Sequence, residues 1–141
     1  MFSKEDSRKL REEFWISFGK SFPNKWTLYK TNVKGLSFKF YFDLKKAMVS
    51  IDIDTDFEHR IKVWDKLVVL KSILLKEYLP EAIYKDFYIL DNQKEISRVY
   101  VELQKVSIHN KNSWRETMEF LNNSMLQIEA FYKEYEDVIN S

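Results

Sequence analysis

Apolar and polar residues along this chain alternate with two different periods, and the switches between them mark out the elements. Over residues 4–19, Leu10, Phe14 and Phe18 recur every four positions with charges between them, which predicts a first helix. Ser3 is placed to cap it, and Pro23 cannot continue it. The period then falls to two. Three strands are predicted, over 25–33, 36–44 and 47–54. In the second, Leu36, Phe38, Phe40, Phe42 and Leu44 share one face, opposite Ser37, Lys39, Tyr41 and Asp43. In the third, Ala47, Val49, Ile51 and Ile53 oppose Met48, Ser50, Asp52 and Asp54. Short connections make an antiparallel meander with one covered and one wetter face.

The helical period returns over 56–78. Thr55 and Glu58 match a capping box, and Phe57, Ile61, Trp64, Val68, Leu75 and Tyr78 form an apolar stripe widened by Leu67, Leu70 and Leu74. Pro80 ends it. A hairpin follows, with strands 84–90 and 96–103 around the turn residues Asp91-Asn92-Gln93-Lys94. A loop over 104–112 leads to a last helix over 114–139, opened by a second capping box, Ser113 with Glu116. Its apolar positions Trp114, Met118, Leu121, Met125, Ile128, Tyr132, Tyr135 and Ile139 step by fours and threes. A dimeric coiled coil produces such a stripe, as does a long helix lying across a sheet. Phe120 and Phe131 beside the stripe favour the broad surface.

The reading is therefore a single α+β domain over 1–141. Its order is α-β-β-β-α-β-β-α, with a mainly antiparallel sheet of about five strands packed by two long helices and a shorter N-terminal one. The first six elements also admit a restriction-endonuclease-like topology. Composition narrows the function. The chain has 141 residues, no cysteine, two glycines, two prolines and a net charge of +1. That excludes a disulfide framework, a thiolate nucleophile and a Gly-rich phosphate loop, and it removes gross charge as a clue to nucleic acid or membrane. The charged N-terminus and the lack of any long apolar run point to a cytoplasmic protein with no membrane segment. Aromatic residues reach 16%, enough to build a core on large rings or to leave some for a contact surface.

Candidate chemistry is sparse. Asp52, Asp54 and Asp56 recur at alternate positions, with the first two about 7 Å apart on one strand face. Mg²⁺ favours such ligands. However, Asp56 falls in a first helical turn, where the dipole explains it, so no metal and no cofactor are expected. His59 and His109 lack triad spacing. A metal-dependent nuclease of the endonuclease-like type needs an acid-x-Lys on the third strand. Here Asp52-Ile53-Asp54 is followed by Thr55, and Asp43-Leu44-Lys45 falls in a turn. Such an enzyme would have to combine Asp43, Asp52 and Asp54 with Lys39 or Lys45. Lys25, Tyr29, Lys39 and Tyr41 could stack and hold nucleic acid on the wetter face, against the charge of Asp43, Asp52 and Asp54.

Several segments together resemble a known family. They are Glu13-Phe14-Trp15 with Phe18, Tyr29-Lys30-Thr31, Lys45-Lys46-Ala47 with Ser50-Ile51, Ile96-Ser97-Arg98-Val99-Tyr100, and Asn112 with Trp114. The chain is similar over nearly its whole length to the bacterial domain of unknown function numbered 4268. The resemblance implies a small free-standing protein, or a domain joined to nuclease-like or other DNA-associated modules. It carries over no catalytic residue. The expected function is a non-enzymatic binding or interaction module with a protein partner or a second copy. The expected contact residues are Tyr29, Lys39 and Tyr41 on the wetter sheet face and Tyr132 and Tyr135 on the last helix. A divergent nuclease-like or nucleic-acid-binding domain is the alternative.

Overall fold

A computed structural model of the protein describes residues 2–141. Helix α1 (Lys4–Ser21) starts as its sequence predicts: the Ser3 hydroxyl accepts from the Asp6 N–H, and the Asp6 carboxylate reaches back to the Ser3 N–H. Strands β1 (Leu36–Phe42) and β2 (Lys46–Ile53) form the first hairpin, and β3 (Ile83–Ile89) and β4 (Glu95–Gln104) the second. The sheet order is β1-β2-β4-β3, antiparallel throughout. Helix α2 (Phe57–Val69) crosses between the hairpins, and α4 (Trp114–Ile139) closes the chain.

The sheet has four strands, because 25–33 does not join it. Groups on α4 take the backbone that a fifth strand would have used. Glu129 accepts from the Thr27 N–H at 2.5 Å, and the Tyr132 hydroxyl accepts from the Asn32 N–H at 2.9 Å. Leu28 turns the chain with φ of 49°, and the segment meets β1 by isolated bonds, such as that from the Phe38 N–H to the Leu28 carbonyl, and not by a ladder. With two strands rather than three before α2, the α-β-β-β-α-β order behind the endonuclease-like topology is not formed.

The helices cover one sheet face. Leu36, Phe38 and Phe42 join Ala47, Val49, Ile51 and Ile53 in a core shared with α1, α2 and α4. Phe14 packs on Phe42 and edge-on to Trp114, while Phe18 and Trp15 meet Phe40. The stepped stripe of α4 faces this core, so it serves as the helix-on-sheet surface and not as a coiled-coil seam.

Helix α2 rotates away from its predicted phase. Its inward stripe is Arg60, Val63, Leu67, Leu70 and Leu74, while Phe57, Ile61 and Val68 stand exposed. It is also shorter than 56–78. It stops at Leu70, continues as a short turn α3 (Lys71–Ile73), and widens into a π turn over Leu74–Tyr78. That turn seats Tyr78 edge-on to Phe131. Both later capping boxes are replaced. Asp56, not Thr55, caps α2 by accepting from the His59 N–H. The Ser113 hydroxyl accepts from the Ser107 N–H and donates back into the 107–110 loop, and it makes no capping bond to α4, which starts from a 3₁₀ turn over Lys111–Ser113.

Gly35 enters β1 with φ of 80°, and a Cβ there would lie 2.5 Å from Thr55 Cβ. Gly35→Ala is therefore expected to cost roughly 2–3 kcal/mol, through backbone strain and overpacking together. Urea unfolding checks this, and an unchanged midpoint would show that the close approach has no energetic weight.

Candidate functional site

The second sheet face gathers four of the predicted residues, but it is not the open platform the alternation suggests. Asp52 stands directly opposite Arg98 in the β2–β4 register. Arg98 Nε and Nη2 donate to its two oxygens at 2.7 and 2.8 Å, a bidentate pair, and Lys39 Nζ lies 3.4 Å away. Asp52 is 0% exposed. Met48, Ser50 and Ile96 are buried on the same face without any helix over them. The end of the second hairpin leans across instead. Tyr41, Asp43, Lys46 and Met48 share one cleft of about 390 Å³ with Tyr88 and Asp91. The Arg98 guanidinium lies 4.3 Å from the centre of the Tyr88 ring, which meets Tyr100 edge-on. Ser50 Oγ has no hydrogen-bond partner in this layer.

Asp43, Asp54 and Glu102 are each held by a partner of their own. Asp43 accepts from the Tyr41 hydroxyl at 2.7 Å and from the Lys45 and Lys46 N–H groups at 2.8 Å, which closes the β1–β2 turn. Burial pushes its carboxyl up, but the hydrogen bonds from Lys45, Tyr41 and Lys46 outweigh this and hold it below the ordinary aspartate value. Asp54 pairs with Lys94 at 2.7 Å, and Glu102 with Lys46. Among the described residues, no three carboxylate or imidazole groups come together as ligands for one ion. Asp43, Asp52 and Asp54 thus do not form a shared site, and Lys39 serves Asp52.

The remaining predicted residues scatter. Tyr29 sits on the turn after Leu28, off the sheet and 76% exposed. Tyr132 is core: its ring packs edge-on to Phe38, and its hydroxyl holds the Asn32 backbone. Tyr135 is half-buried against Phe131. The expectation of a contact surface at Tyr132 is corrected accordingly. His59 Nδ1 lies 2.9 Å from the capping Asp56. His109 Nε2 lies 2.6 Å from Ser7 Oγ, and its ring stacks on Phe2. No carboxylate orients the other ring nitrogen among the described residues, so this contact ties α1 to the 105–113 loop and lacks the third member of a triad.

A different surface emerges where α2 meets β3. The Arg60 guanidinium lies 5.2 Å from the Phe57 ring centre and 5.6 Å from that of Phe87. It donates to the Glu95 carbonyl at 3.1 Å and carboxylate at 2.8 Å. Arg60 is only 5% exposed, yet Phe57 is 59% and Phe87 57% exposed. Ile61, one turn beyond Phe57, is exposed too, whereas the exposed Ile89 lines the second-face cleft with Tyr88 and Arg98. Trp64 against Tyr84, and the Tyr84 hydroxyl on the Leu67 carbonyl at 3.1 Å, fix the two elements together beneath this surface. The sequence pattern marked Phe57 and Ile61 as apolar but placed them in the core. Arg60 reads from sequence as a polar-face residue, so no local signal marked the phase that Glu95, 35 residues on, imposes.

The chain belongs to the family described as a domain of unknown function, DUF4268, whose pattern matches residues 10–136. No curated protein and no solved structure matches it. No helix among the described residues is long and apolar enough to cross a membrane.

The Tyr41–Asp43 bond makes a titration prediction. Hydrogen bonding to Asp43, then burial and the negative charge of Asp43 and Asp91, push the Tyr41 phenol up to about 12. A phenol near 10 in the unfolded chain and raised in the folded one stabilises the fold fully below about pH 10. That contribution is lost as pH rises towards 12. Asp43→Asn is expected to bring the Tyr41 transition down towards the ordinary tyrosine value, as followed by NMR of labelled tyrosine rings. An unmoved transition would mean Asp43 is not its cause.

Proposed function

We propose that the protein is a non-enzymatic interaction module that docks another polypeptide through the surface shared by α2 and β3. The observation that carries this reading is the pair of exposed rings, Phe57 and Phe87, on either side of an Arg60 held by Glu95. Isolated exposed apolar residues are ordinary, but two exposed rings brought to one arginine by two rigid elements have the composition of an interface centre. Two phenylalanines flanking a held arginine supply the rigid anchors that dominate binding energy. A nuclease-like role would draw on Asp43, Asp52 and Asp54, and the present geometry commits each of these to a structural partner. That difference favours docking over cleavage.

Photocrosslinking tests the proposal. A photoreactive side chain at Ile61 is expected to give discrete protein adducts in cells, and the same group at Arg115, exposed on α4, is expected to give none. Phe57→Ser should abolish the Ile61 adducts while changing stability by no more than about 0.5 kcal/mol, as for other exposed positions. Equal labelling from both positions, or adducts indifferent to Phe57→Ser, would remove the reading.

A further inference from the structure

The two edges of the sheet are not alike. The outer strand β3 carries a register shift between Lys85 and Tyr88, the type of irregularity that blunts an edge against pairing. The other outer strand, β1, pairs with β2 without interruption over seven residues and contains no proline. Its hydrogen-bonding phase follows from its two ends. Asp43 N–H donates to the Lys46 carbonyl, and Asp54 N–H to the Gly35 carbonyl. Residues 37, 39 and 41 therefore face β2, and residues 36, 38 and 40 turn their backbone groups outward.

The outward groups are satisfied only in part. The Leu36 N–H donates to the Val33 carbonyl at 3.1 Å, and the Phe38 N–H to the Leu28 carbonyl at 3.0 Å. The Leu36 carbonyl accepts from the Thr31 hydroxyl at 2.7 Å. Beyond that point the ladder stops. The Phe38 carbonyl and both backbone groups of Phe40 have no partner among the described residues.

A groove of about 380 Å³ lies at this place. Ser37, Phe38, Lys39 and Phe40 all line it. Successive residues of a strand point to opposite faces, so a groove touching four in a row runs along the edge, where backbone is within reach. Trp15 forms one wall, and the Leu28–Tyr29 turn forms the other. The walls are mostly apolar and no acidic side chain lines them. Lys39 and Arg98 share the single charge of Asp52, which leaves one positive charge beside the groove. Lys30, 5.9 Å from the centre of the Tyr29 ring, adds a second near its mouth.

We infer that the β1 edge at Phe38–Phe40 is a strand-addition site. Its occupant is a short extended segment of a partner protein, with an apolar residue flanked by acidic ones. The unpaired carbonyl and N–H groups call for polypeptide in extended form, the recognition mode in which backbone bonds supply affinity and alternate side chains supply selectivity. The apolar walls take the central side chain, and Lys30 and Lys39 the acidic flanks. A second copy does not fit. Its own β1 edge is recessed behind the same Trp15 and Tyr29 walls, so the two edges could not meet. This site lies on another edge of the molecule from the α2–β3 surface, and neither depends on the other.

The test uses the whole protein and a synthetic probe, acetyl-Glu-Val-Phe-Val-Glu-amide, with two versions N-methylated at alternate residues. Backbone amide NMR is expected to show shifts at Phe38 and Phe40 and slowed hydrogen exchange of the Phe40 N–H on adding the probe. One N-methylated version should bind like the parent. The other, blocked on the pairing side, should weaken by about tenfold or more, the scale of losing a central contact. Tyr29→Ala should weaken the parent probe several-fold, and Ile61→Ser should leave it unchanged. No shift at Phe38 and Phe40 up to the probe's solubility would overturn the inference. So would equal binding of both N-methylated versions, or shifts confined to α2 and β3.

Discussion

The buried pair of Asp52 and Arg98 is the interaction on which the arrangement of this protein depends. Three helices lie on one face of a four-stranded sheet, and none covers the other. A sheet of that kind commonly leaves its second face to water. Here the bidentate bridge ties β2 to β4 at the middle of that face, and its charges draw in Lys39 from β1 and the Tyr88 ring from β3. All four strands thus contribute to one polar layer, over which the second hairpin leans. Removing Asp52 would leave the buried Arg98 without its counter-charge, which typically costs 3–5 kcal/mol or so, while removing Arg98 leaves Asp52 with Lys39 alone.

The same pair decides what the face does chemically. Asp52 is the most deeply placed acid of the molecule's second face and would be the natural first member of a metal site. Its two oxygens are already used by an arginine, and the neighbouring acids close a turn or meet a lysine. These commitments are what the docking proposal rests on, and the two contact surfaces proposed lie at Phe57 and Phe87 and along the unpaired stretch of β1.

What could be read from the sequence follows how local each signal is. The α4 stripe, the Ser3 cap and the two hairpins depend on residues a few positions apart, and they appear where the pattern places them. The failures are contests between local pattern and distant partners. Residues 25–33 alternate like a strand, but Glu129 and Tyr132, a hundred residues on, take the backbone of Thr27 and Asn32. Helix α2 has more apolar positions than one face can hold, so its phase is set by what it meets. Glu95 draws Arg60 inward, and Phe57 and Ile61 turn out. Arg98 follows the polar alternation of its strand and carries no local mark of its role. Only the cross-strand register brings it to Asp52. Ser7 and His109 likewise meet by folding alone.

A double-mutant cycle across Asp52 and Arg98 is the most direct test of this account. Urea unfolding would be measured for Asp52→Leu, Arg98→Met and the two together, with adduct formation at Ile61 followed in parallel. Each single change should destabilise strongly, and the double change should cost about 2–3 kcal/mol less than the sum of the two, with docking at Ile61 intact. Additive losses would show that the pair is not the staple of the second face. Loss of the Ile61 adducts in a stably folded double variant would show that the face, and not the α2–β3 surface alone, takes part in binding.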